Sequence, residues 1–213
     1  MRGSLLTLAL LLIVVACGPI GGSGATAPTA ASVAVKSGDL PSGLHRCDLS
    51  GDINSYLNKI KTKDPSTYKT TSDGWAAAQK DGATAAEVEF YTDSTDHCKS
   101  VETNGSQIGG ATYKLVVNFA FQFKDQASAE NGYKSDSIFG FSAASLKTSQ
   151  VPVVEGKDTG LGPNSIVLTI AISNQSFYVA VWQNKQFMVI LVLLNVDTTA
   201  AKKAAMAENS RIR

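Results

Sequence analysis

The chain has 213 residues, with 19 basic and 18 acidic side chains, two histidines and a formal net charge of +1. Charged residues make up 17% of it and no basic block stands out, which excludes the charge pattern expected of a nucleic-acid partner or of purely electrostatic binding to anionic lipid. Without Arg2, which falls in the leader described next, the two signs balance at 18 each.

Residues 1–16 read as a signal peptide and are set apart from the fold. Arg2 is followed by eleven mostly apolar residues from Leu5 to Val15. That suits the apolar core of a leader, whereas a spanning helix needs about twenty. Val14-Val15-Ala16-Cys17 comes next and resembles the lipobox of bacterial lipoproteins. The resemblance implies cleavage before Cys17, acylation of its sulfur and attachment to the outer face of a membrane in the cell envelope. Two or more acyl chains anchor stably where one does not.

Residues 17–43 read as the lipidated cysteine and a flexible linker, rich in Gly, Ala, Ser, Thr and Pro, with a root-mean-square reach of roughly 25–30 Å. Residues 44–213 are about 170 residues, enough for a single α+β domain with one core. The apolar run Phe187 to Leu194 suits a buried strand and is too short to span a bilayer.

Within the domain, Ile53, Tyr56, Leu57 and Ile60 fall on one face of an amphipathic helix over 50–62, with Ser50 or Asp52 as cap and Asp64-Pro65 ending it. A second helix contains 75–80. Residues 83–91 can continue as helix, with strand as the alternative over 87–91. The pattern over 113–123 predicts a strand whose alternate residues Tyr113, Leu115, Val117, Phe119, Phe121 and Phe123 face the core. Asp125 caps a helix to about Ser137. Strands follow over 151–154, 166–172, 177–183 and 186–194, with turns at Asn174-Gln175 and Asn184-Lys185. Asp197 or Thr198 then caps a last helix to about Asn209. Hairpin connections predict a largely antiparallel sheet of about 4–5 strands, with helices on one face and a helical N-terminal segment before it. Strand, Asp cap and Ala-rich helix occur twice, at Phe119–Asp125 and Leu191–Asp197, an internal echo suggesting two halves.

This layout over 113–209 resembles small sensor-type lipoprotein domains of the Mog1/PsbP-like kind. It is also similar to the extracellular domain of some actinobacterial receptor kinases. The likeness carries no catalytic residue across, and 44–98 lies outside it.

With Cys17 assigned to lipid, Cys47 and Cys98 form an even pair, which in an exported chain reads as a disulfide closing about fifty residues, worth roughly 3–4 kcal/mol. His45 and His97 each lie beside one of these cysteines, but the H-x-C and H-C spacings suit tetrahedral zinc poorly, and no metal or cofactor is assigned. Under the bridge the two imidazoles come together as a conceivable pH-sensing pair. Asp48, Asp93 and Asp96 lack the alternation of a calcium loop. Gly140-Phe141-Ser142-Ala143-Ala144 misses the second glycine of a nucleophile elbow, and Ser66-Thr67-Tyr68-Lys69 lacks its companion boxes. Gly160-Leu161-Gly162 precedes a strand and reads as a turn. Tyr178 and Trp182 share one face of a strand and, with Trp75, are candidate ligand contacts if exposed, core if buried.

No nucleophile and base can be paired, so the chain is expected not to be an enzyme. The expected function is a membrane-tethered, non-catalytic domain that binds or senses a small ligand. The alternative is an envelope protein-interaction or assembly factor, and a hydrolase with an unrecognised site comes last.

Overall fold

The computed structural model describes residues 27–135, 142–148, 150–172 and 174–213. The leader, Cys17, the first part of the linker and the expected helix end at Ser137 lie outside these residues.

The elements run α1 (Ala30–Val33), β1 (His45–Arg46), β2 (Gly51–Asp52), α2 (Ile53–Ile60), α3 (Pro65–Lys80), β3 (Ala83–Thr92), α4 (Thr95–Thr103), β4 (Leu115–Phe123), α5 (Gln126–Lys134), α6 (Ala143–Thr148), β5 (Val153–Glu155), β6 (Asn164–Ile172), β7 (Gln175–Asn184), β8 (Phe187–Leu194) and α7 (Thr198–Ser210). The strands form one antiparallel sheet in the order β1-β3-β4-β8-β7-β6-β5, with β2 also paired to β3. The α+β class and antiparallel pairing agree with the sequence. The strand number does not: the sheet has eight strands, not four or five. The added members are short edge pieces, β1 and β2, and the ten-residue β3, where helix and strand both fit the sequence.

Local chemistry accounts for the helix starts. Asp52 caps α2 through the amides of Asn54 and Ser55, and Asp64 caps α3 through Thr67 N with Pro65 in its first turn. Asp125 and Asp197 cap α5 and α7 in the same way. Helix α3 begins ten residues earlier than Trp75, because Gly74 does not interrupt it and is buried inside it.

Both faces of the sheet are covered, which corrects the expectation of helices on one face. On the first face, Leu115, Val117, Phe119, Phe121 and Phe123 of β4 join Met188, Ile190, Val192 and Leu194 of β8 under α2, α3, α5 and α6. On the second, Val116 and Ala120 join Phe187, Val189, Leu191 and Leu193 under α7 and the N-terminal segment. Every residue of β8 is buried, as a strand enclosed on both sides requires.

The linker expectation is corrected over its last part. Val33, Ala34 and Val35 are fully buried on the second face. Val35 N donates to Asn118 Oδ1 and Tyr91 Oη donates to Val35 O. Arg211 donates to the carbonyls of Val33 and Ala34 and to both oxygens of Asp39. The folded unit therefore includes residues well before Leu44. The internal echo does not build two equivalent halves either. Strands β4 and β8 are antiparallel neighbours, and a two-fold axis normal to the sheet would keep their helices on one face, yet α5 packs on the first and α7 on the second.

Candidate functional site

A cavity of about 560 Å³ lies between the first face of the sheet and the helices over it. Its floor is large and apolar: Phe119 of β4, Leu168 and Ile170 of β6, Phe177 and Val179 of β7, and Ile190 and Val192 of β8. Alternation along each strand brings these side chains to one face. Its roof is small and hydroxylated: Ser66, Thr67, Thr70 and Thr71 of α3, with Gly105 and Gly109 of the 3₁₀ turn Gly105–Gly110. Short side chains over a bulky floor leave the space unfilled, and this is why the cavity exists. Spacing of i, i+4 puts Ser66 over Thr70 and Thr67 over Thr71 on one helix face.

The roof is fixed by hydrogen bonds. Asp64 Oδ2 accepts from Thr67 Oγ1 at 2.7 Å and from Gly105 N at 2.7 Å, tying the 3₁₀ turn to α3. A Cβ on Gly105 would stand 3.0 Å from Thr67 Oγ1 and Cγ2, so glycine permits this approach. Tyr56 closes one wall, stacked on Phe90 at 5.5 Å and edge-on to Phe119. Burial pushes its hydroxyl up to about 12, against the hydrogen bond it shares with Thr71. The cavity reaches the surface beside Ser66 and Thr70, which are exposed. No charged side chain lines it among the described residues.

A second, polar recess of about 280 Å³ lies next to it, lined by Ser100, Asn104, Gly110, Ala111, Thr112 and Tyr113. Ile108 lines both spaces. On one side of Tyr113 its ring stacks on His97 at 4.0 Å, and His97 Nδ1 shares a 2.5 Å hydrogen bond with Asp93 Oδ1.

Cys47 and Cys98 are joined, with Cα atoms 5.3 Å apart. The bridge ties the buried segment after β1 to α4, about two helical turns before the Gly105–Gly110 turn of the roof. His97 is engaged with Asp93 and Tyr113, and no hydrogen bond or ring contact joins it to His45 among the described residues. No cluster of three His, Cys, Asp or Glu able to hold a metal occurs among those residues. Ser142 caps α6: Ser142 Oγ accepts from Ser145 N and Ser145 Oγ from Ser142 N. Gly140 and Phe141 lie outside the described residues. Ser66 faces the cavity while Lys69 pairs with Asp73 on the helix surface. Gly160-Leu161-Gly162 is a turn with both glycines at positive φ.

The aromatic candidates do not line the cavity. Tyr178 and Trp182 are buried on the second face, under α7 and the N-terminal segment. Trp75 is buried on the first, stacked on Phe121. Their neighbours Phe177 and Val179 line the cavity instead. What a reading of strand aromatics overlooks is the roof, whose signal is the hydroxyl stripe Ser66-Thr67, Thr70-Thr71.

No protein-family model, curated protein or solved structure matches this chain.

Proposed function

We propose that the protein is a binding domain for an apolar small molecule, held in the cell envelope by lipid on Cys17. The observation that carries the reading is the cavity: its volume is that of an ordinary ligand site, its floor is apolar, and a few hydroxyls converge at one side. A space of this size lined by aliphatic and aromatic side chains solvates a hydrocarbon ligand far better than water does, at roughly 25 cal/mol per Å² removed from water. The Cys47–Cys98 bridge supports placement in an oxidising compartment. The lipobox supports the anchor.

Titration with the neutral apolar dye N-phenylnaphthylamine tests the reading. Saturable binding with a blue-shifted emission is expected. Val179→Phe, which extends a ring from the cavity floor, is expected to weaken that binding at least about tenfold while leaving thermal stability level or raised, because it fills space rather than displacing packed atoms. Dye that fails to bind, or that binds Val179→Phe as well as the parent, refutes the cavity as a ligand site.

A further inference from the structure

We propose that the occupant is an amphiphile with an uncharged, hydroxylated head, its hydrocarbon chain in the apolar cavity and its head in the polar recess beyond Ile108. This rests on the reading of the cavity as a ligand site and adds the class of ligand.

Three observations carry it. First, the two spaces are adjacent and opposite in character. The larger is floored by aliphatic and aromatic side chains, and the smaller is lined by Ser100, Asn104, Thr112 and Tyr113, with Ile108 common to both. A molecule that fills both must change from apolar to polar along its length, which a simple hydrocarbon does not. Second, no Lys, Arg, Asp or Glu lines either space among the described residues. A phosphate, carboxylate or ammonium head would meet no countercharge in either lining, so it gains less there over water than a neutral head that hydrogen-bonds. The Tyr113 hydroxyl sits above its ordinary value first through burial, with its hydrogen bond to Ser100 opposing and the Asp93 carboxylate adding to the rise. Third, the recess offers both kinds of hydrogen-bonding group to a neutral polyol. The Asn104 Oδ1 acceptor and the Thr112 hydroxyl are exposed and make no hydrogen bond of their own among the described residues. Hydroxyl groups donate and accept at once, and so match this mixture where a carboxylate, an acceptor only, does not.

Displacement of N-phenylnaphthylamine by three amphiphiles with one chain length and different heads tests the inference: monodecanoylglycerol, decanoate and decyltrimethylammonium, each below its micellar concentration. Monodecanoylglycerol is expected to displace the dye at least about fivefold more tightly than either ion, a difference of one or two hydrogen bonds. Asn104→Ala and Thr112→Val, both at exposed positions, are each expected to weaken monodecanoylglycerol about threefold and to leave dye affinity unchanged. Equal displacement by all three heads, preference for either ion, or variants that leave the glyceride unaffected would overturn the head assignment alone. Failure of the dye to bind would sink the cavity reading with it.

Discussion

Asn118 shows how a single polar residue organises this interior. It is fully buried in the middle of β4. Its Nδ2 donates to Ile190 O and to both carboxyl oxygens of Glu208, and its Oδ1 accepts from Val35 N. One amide thus joins a neighbouring strand, the C-terminal helix and the N-terminal segment. Glu208 has no exposed surface, and burial pushes its carboxyl from 4.5 up to about 8, with the Asn118 hydrogen bonds and Arg211 opposing. The folded state therefore keeps a proton that the unfolded chain gives up. The stabilising contribution is fully present below pH 4.5 and is lost as pH rises toward about 8. Glu208→Gln, which keeps the acceptor for Asn118 but does not ionise, should flatten that decline by an amount on the order of a few kcal/mol. Urea denaturation of both chains across this pH window checks it, and parallel curves would show that Glu208 does not titrate there. The alternation Val116-Asn118-Ala120 is also where sequence reasoning stops being sufficient. An asparagine in the alternate set of a strand normally marks a solvent face, and only distant partners, Val35 and, ninety residues on, Glu208, reveal that this one is inside.

At the scale of elements, the strongly periodic ones were legible. Ile53, Tyr56, Leu57 and Ile60 are the buried face of α2 as spacing predicts, and β4, β6, β7 and β8 fall within a few residues of expectation. The Asp caps of α5 and α7 were legible because capping is a local interaction. Helix α4 and the early start of α3 were not, since neither carries a clean apolar period. The cavity was invisible for a related reason: a void is a property of what several elements fail to fill. Its roof depends on α4 and the 3₁₀ turn after it, and these are stapled to the sheet side by Cys47–Cys98. Replacing both cysteines by alanine should cost roughly 3–4 kcal/mol in denaturant-unfolding experiments, from loop entropy over the 51-residue separation. It should also weaken dye binding under conditions where the protein remains folded. Binding that is unaffected would mean that the roof is positioned by Asp64 alone.

For the whole molecule, the decisive feature is a sheet covered on both sides. The unbroken apolar run of β8 was a sequence signal for it, because a half-exposed strand would alternate. The segment that supplies part of the second layer, Ala30 to Leu40, looks like linker in the sequence because its residues are small and its burial depends on partners far along the chain. Arg211 is the main clasp. Arg211→Ala should raise amide exchange across 33–39, Val35 above all, while the amides of β4 and β8 keep their protection, as a local opening does. Uniform loosening of the sheet would instead make this segment part of the cooperative core.

That clasp bears on how the domain carries load. Under the proposed lipid anchor on Cys17, a pull through the chain before Thr29 reaches the segment at α1. Residues Val33 to Asp39 are held sideways by the Arg211 guanidinium, the Asn118 amide and the Tyr91 hydroxyl, none of which belongs to the strand ladder. The segment works as a strain relief, like the sleeve on a cable: tension spreads over several side-chain bonds in parallel and through them into α7 and the central strand. The helices that roof the cavity lie on the opposite face, off this line of force.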